Sequence, residues 1–251
     1  MTLIEEFEDI QTPTGAMRTH IFRPVAEGRY PAIVLYSEIF QITGPIRRTA
    51  AMFASHGCVV AAPEIYHEYE APGTVLPYDE EGSARGNALK TTKPLAAYDS
   101  DIRTVLDFLK THPNSTGKLG AVGLCIGGHL AFRAAMQPDV LATTCFYATD
   151  IHKRGLGEGM NDDSLDRLGE IGGELLMIFG RQDPHIPREG RRIVYEALAD
   201  ADVNFQWHEF NGAHAFLRDE GPRYNPATAR ICYSMAIELF QRRLHEGNIS
   251  A

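Results

Sequence analysis

Apolar and polar positions change their period along the chain, and the changes mark out strands and helices. Arg18 to Arg23 alternates after a Thr14-Gly15 turn, as an early hairpin strand does. Tyr30 to Tyr36 and Cys58 to Ala62 are continuous apolar runs of strand length, the first ending in Ser37-Glu38 and the second closed by Pro63. Between them, Pro45 to Ser55 has helical spacing and stops at Gly57. From His67 to about Lys93 the periodicity is lost and Pro, Gly and charged residues dominate, which reads as a long lid or binding loop. Leu95, Ile102, Val105, Leu106 and Leu109 then share one side of a helix that ends before Pro113. Leu119 to Leu124 is a buried strand that runs into a glycine-lined turn and a helix from His129 to Met136. Further strands are expected at Leu141 to Tyr147, Leu175 to Phe179 and Val203 to Phe210, with helices at Arg188 to Leu198 and Pro226 to Arg243.

Strands alternating with helices predict an α/β fold, a doubly wound and mostly parallel sheet flanked by helices. No linker or repeat interrupts the 251 residues, so a single domain over 1–251 is expected. In such sheets the site forms at the carboxyl ends of the strands. Glu38, Glu64, Cys125, Asp150, Asp183 and the loop around His214 all follow apolar strand runs, and are expected to converge there.

Composition removes several functions. A net charge of −9 without any Lys/Arg cluster argues against nucleic acid as a partner. Four scattered cysteines without CxxC pairing make no disulfide framework and fit a reducing compartment; Cys58 and Cys145 sit in apolar runs as core fillers. The acidic stretch Met1 to Glu8 has no signal-peptide character, and no apolar run nears the roughly 20 residues that span a bilayer, so a cytoplasmic protein without membrane contact is expected. Without HExxH, Cys/His pairing, a phosphate-binding glycine loop or a dinucleotide fingerprint, neither metal nor cofactor is expected.

The chemistry-bearing motif is Gly123-Leu-Cys125-Ile-Gly127-Gly128 between a strand and a helix. This is the form of the nucleophile elbow of α/β-hydrolases, with cysteine in the nucleophile slot. The turn is sharp, so the positions two before and two after the nucleophile must lack a Cβ. No serine in the chain has glycines at both of these spacings. A free buried cysteine in an ordinary strand–helix turn would look similar, and the downstream partners decide between the two. The elbow order is nucleophile, acid, histidine. Asp183, in Phe179-Gly-Arg-Gln-Asp-Pro-His-Ile-Pro187, follows the next strand but one, and His214 lies in a loop between the last strand and last helix. Asp183 alone could merely start a turn, and His214 alone could be a surface residue; together, in order, they form a Cys-His-Asp triad. A thiol with a pKa of about 8.5 needs a base, and the base needs a carboxylate to fix its tautomer. His185 is expected to be an exposed turn residue, and His129 could face either way.

Taken with the Tyr36-Ser-Glu38-Ile-Phe segment, Pro63-Glu-Ile-Tyr66 and Gly212-Ala-His-Ala-Phe-Leu-Arg218, the chain resembles the dienelactone hydrolase family, a cysteine-nucleophile branch of the α/β-hydrolases. The resemblance implies Cys125 as nucleophile, His214 as base and Asp183 as its orienter. It implies that Glu38 holds the resting thiol, and that the backbone N–H groups of Ile126 and Ile39 form the oxyanion hole. Arg218 and Arg85 match family arginines that pair with a substrate carboxylate. A tyrosine that family members carry shortly after the second arginine is missing from Gly86-Asn-Ala-Leu-Lys90. The implied activity is opening of a small lactone or ester bearing a carboxylate, as in degradation of aromatic compounds. Rival readings are a general carboxylesterase or thioesterase for neutral acyl groups, and a non-catalytic ligand-binding or redox-sensing protein on the same fold.

Overall fold

The computed structural model describes residues 1–245. Its centre is one eight-stranded sheet in the order β1-β2-β4-β3-β5-β6-β7-β8. The strands are β1 (Leu3–Thr12), β2 (Gly15–Pro24), β3 (Tyr30–Tyr36), β4 (Val59–Pro63), β5 (Ser115–Leu124), β6 (Val140–Phe146), β7 (Glu174–Gly180) and β8 (Phe205–Phe210). From β4 to β8 neighbouring strands are parallel, and β1 and β2 add an antiparallel hairpin to one edge. The continuous apolar runs are the central strands: β4 and β7 are buried at every position, and β3 at all but its first. A strand covered on both faces has no polar side to show, which is why these segments do not alternate.

The helices are α1 (Gly44–Ser55), α2 (Glu80–Thr92), α3 (Leu95–Thr111), α4 (Ile126–Ala134), α5 (Arg188–Asp200) and α6 (Pro226–Leu244). On one face of the sheet α1 and α6 meet through Phe53 and Phe240, whose rings lie edge to face at 5.6 Å. On the other face α3 packs beside α4. No helix among the described residues is long and apolar enough to cross a membrane.

Two elements depart from the expected pattern. β1 has the composition of an acidic surface segment, yet all ten of its residues pair with β2. Its charges serve the edge: Arg18 lies directly opposite Asp9 and pairs with it at 2.9 Å. The second departure is α2, which occupies the end of the stretch expected to be a structureless loop. Asp79 caps it by accepting the Gly82 N–H at 2.8 Å, and Glu80 and Glu81 favour its positive end. Its buried positions are Gly82, Gly86 and Leu89, so it packs through missing side chains rather than through an apolar stripe. A Cβ on Gly86 would lie 2.5 Å from the Ile39 carbonyl oxygen. Hydrophobic periodicity cannot register a helix that docks in this way.

The long excursion between β6 and β7 carries only single turns of 3-10 helix. It is tied to α4 by Arg133, which is buried and donates to Asp99, Asp163 and Ser164. His129 faces this excursion, not the site: it is fully buried and its Nε2 lies 2.8 Å from Ser164 Oγ.

Candidate active site

β5 ends at Leu124, Cys125 turns the chain, and α4 begins at Ile126. Cys125 has φ 62° and ψ −122°, a region that costs a residue with a Cβ on the order of 1–3 kcal/mol and persists only when its surroundings enforce it. The surroundings do enforce it. A Cβ on Gly123 would sit 1.8 Å from the Gly127 carbonyl oxygen, and one on Gly127 would sit 2.2 Å from the Tyr36 carbonyl oxygen at the end of β3. Gly127→Ala is therefore expected to destabilise the protein by about 3 kcal/mol or more, because backbone would have to move. Gly169→Ala, where an added Cβ meets nothing within 4 Å, should stay within about 0.5 kcal/mol. Denaturant midpoints measure both, and equal midpoints would show that the elbow is not tightly interlocked.

Asp183 follows β7 and is 3% exposed. Its Oδ2 lies 2.6 Å from Nδ1 of His214, which comes from the loop after β8. His214 and Cys125 line the same cavity, and the charge of Cys125 acts on the imidazole. Burial works against a charge on His214, but the Cys125 thiolate and the Asp183 carboxylate outweigh it and raise its pKa to about 10. The arrangement thus favours an imidazolium at His214. The His214 ring also has aromatic edge contacts, with Tyr147 at 5.1 Å and His185 at 4.6 Å between ring centroids.

Glu38 lies just beyond β3 in a turn where the Gln41 N–H reaches the Glu38 carbonyl at 3.2 Å. Burial raises its pKa, opposed by the charges of Arg218, His214 and Arg223 and by the Tyr78 hydroxyl. Its Oε2 is buried without a hydrogen-bond partner, and the Arg218 guanidinium stands 3.7 Å away. Arg218 is itself stacked on the Tyr78 ring at 4.1 Å and donates to the Glu220 carbonyl. Two backbone donors stand nearby: Ile39 N–H has no acceptor among the described residues, and Ile126 opens α4, where the first N–H groups have none within the helix.

These groups line a cavity of about 260 Å³ that contains Glu38, Ile39, Cys125, His214 and Arg218. A larger groove of about 440 Å³ between β8 and α6 has neither cysteine nor histidine in its lining, so size alone does not mark the site. Cys125, His214, Asp183, Glu38 and Arg218 are brought together as their sequence positions suggested. Arg85 is not: it is half-exposed, pairs with Glu70 at 2.6 Å and is absent from the cavity wall. The helical geometry of α2 explains the difference, because Ser83, Asn87 and Lys90 share the face that lines the cavity while Arg85 is turned away. The cation that α2 supplies is Lys90, held at 2.6 Å from Asp150. Glu64 also stays outside the cavity; it binds His20 at 3.0 Å and the Gly73 N–H at 2.9 Å, which fixes the loop after β4.

The cavity wall carries Lys90, Lys153, Arg218 and Arg223 against Glu38 and Asp150, a positive surplus inside a chain of net charge −9. It can attract an anionic ligand and places a thiol, an imidazole and the Ile39 amide around it. Elsewhere, His67, Glu68 and Asp101 approach each other as metal ligands would. The ammonium of buried Lys93 already occupies that group as its cation, 2.8 Å from Glu68 and 2.5 Å from Asp101.

Comparison with known proteins gives a consistent picture. The sequence profile of the Dienelactone hydrolase family matches residues 17–244. A Saccharomyces cerevisiae protein named "Putative carboxymethylenebutenolidase" is 43% identical over 256 residues, spanning 97% of this chain and 93% of its own. The carboxymethylenebutenolidase of Pseudomonas putida is 28% identical over 231 residues, with 91% and 93% covered. Among solved structures, a Klebsiella pneumoniae protein described as "Putative Dienelactone Hydrolase" superposes with a TM-score of 0.84 at 21% identity, covering 96% of this chain and 100% of that one, a likeness of fold.

Proposed function

This chain belongs to the dienelactone hydrolase family and has the α/β-hydrolase fold, and on that footing we propose that it opens a small, carboxylate-bearing lactone or ester through a cysteine acyl-enzyme. The observation that carries the reading is His214, bonded to Asp183 and sharing a cavity with Cys125 on a strained elbow.

In this reading Arg218 takes the substrate carboxylate. Doing so draws away the cation that favours an ionised Glu38, and the raised proton affinity of that buried carboxyl lets it accept the thiol proton. The Cys125 thiolate then attacks the carbonyl carbon. Negative charge moves to the carbonyl oxygen, where the Ile39 and Ile126 N–H groups receive it. As the adduct collapses the C–O bond breaks, the leaving oxygen takes a proton from the His214 imidazolium, and a thioester remains. Water hydrolyses the thioester with His214 as base, and Asp183 keeps the imidazole in the required tautomer throughout. Lys90 on α2, paired with Asp150, lines the same cavity.

The test is selectivity. A charge-assisted contact is worth about 1.5–3 kcal/mol, so Arg218→Met should lower kcat/KM for an anionic dienelactone roughly ten- to a hundredfold. p-Nitrophenyl acetate lacks the matching charge and should be affected less than about twofold. Equal losses on both substrates would make Arg218 structural. No loss on either, with p-nitrophenyl acetate still turned over, would favour a general esterase for neutral acyl groups.

A further inference from the structure

One imidazole in the cavity is left without a task by this mechanism. His185 lines the same wall as Cys125 and His214, and its ring meets the His214 ring edge to face at 4.6 Å between centroids. Its place is set by Asp183: one carboxylate oxygen accepts the His185 backbone N–H at 2.8 Å while the other holds His214 at 2.6 Å. Pro184 and Pro187 on either side restrict the loop further. A single carboxylate therefore positions two imidazoles side by side. Neither ring nitrogen of His185 has a hydrogen-bond partner among the described residues. Burial, then the neighbouring charge of His214, lower its pKa, so the ring stays neutral and keeps a lone pair to offer the cavity.

We propose that His185 holds the hydrolytic water for breakdown of the acyl-enzyme. The inference rests on the cysteine acyl-enzyme proposed above. Thioester hydrolysis needs a water whose oxygen faces the carbonyl carbon, and two acceptors fix a water better than one. The water donates one O–H to Nε2 of neutral His214 and the other to the His185 lone pair. As the new C–O bond forms, the first proton passes to His214, while His185 keeps only a hydrogen bond. Collapse of the adduct breaks the C–S bond, expels the Cys125 thiolate beside the His214 imidazolium, and leaves the acid product to lose its proton to solvent. Acylation uses no water, so His185 acts on one half-reaction only.

That asymmetry is the test. His185→Phe keeps a ring against His214 and removes both nitrogens. With p-nitrophenyl acetate in stopped flow, the first turnover should stay within about twofold of the unmodified enzyme while the following steady rate falls roughly ten- to a hundredfold, the worth of a lost hydrogen bond to a reacting group. A burst should appear or grow, and mass spectrometry of the quenched protein should find acetyl on Cys125. His185→Gln, whose side-chain oxygen accepts a hydrogen bond, should recover part of the steady rate. Equal loss in both phases, or no loss in either, would overturn the proposal. Absence of an acyl adduct on Cys125 in every variant, with turnover intact, would instead remove the acyl-enzyme reading on which it stands.

Discussion

Cys125→Ala should reduce ester and lactone turnover to the uncatalysed rate while leaving the fold in place. Alanine keeps a Cβ at φ 62° and fills the same turn, so the denaturant midpoint should move little. The other thiols offer no substitute. Cys58 and Cys232 are pushed up to about 12 by burial, and Cys145 is raised further still, so none forms a thiolate at neutral pH. Cys58→Ala should therefore cost packing and not chemistry. Cys125→Ser should be nearly as inactive as alanine, since an alcohol is far harder to ionise in a site arranged for a thiol. Turnover by Cys125→Ala above the background of the uncatalysed reaction, measured on p-nitrophenyl acetate, would end the nucleophile assignment.

Asp183→Asn should be the next most damaging change, lowering kcat by roughly a thousandfold or more, as loss of the orienting carboxylate does in serine triads. The 2.6 Å contact with His214 requires an acceptor on the acid side. An asparagine amide presented there would donate to Nδ1, move the ring proton to Nε2 and leave no lone pair there for the proton of the hydrolytic water. The loss should fall on kcat rather than KM, because Asp183 is buried and does not line the cavity. It should also lower the pKa of His214, which Asp183 helps to raise, and histidine titration by NMR reads that directly. A variant within tenfold of the unmodified kcat would show that Asp183 serves the turn and not the chemistry.

Where a residue's role follows from its place at a strand end, the sequence was readable. β3, β5 and β7 announce themselves as unbroken apolar runs, so Glu38, Cys125 and Asp183 could be found by looking just past them. Glu64 obeys the same rule and still fails, because β4 lies on the hairpin side of the sheet, where Glu64 finds His20 in place of the cavity. Other misses have a different origin. β1 is held by backbone ladder bonds and cross-strand ion pairs, for which hydrophobic period is blind. α2 docks through glycine, so its helical faces were not recognised, and with them went the distinction between Lys90, which faces the cavity, and Arg85, which does not. His185 is exposed in a turn as its sequence position predicts, and it also lines the cavity, which only three dimensions show.

A turn that carries backbone strain persists only when the structure around it has formed. Gly127 approaches the Tyr36 and Ser37 carbonyls at the end of β3, much earlier in the chain, and Gly123 approaches Gly127 across the turn itself. These close contacts offset the strain at Cys125 only after β3, β5 and α4 have docked, and the entropy of closing that long loop is spent before they form. The elbow therefore shuts late, after the sheet is assembled. A chain arrested just short of the native state would have nearly all of its secondary structure and no reactive thiol, so the appearance of activity during refolding would time the final locking of the sheet against its helix.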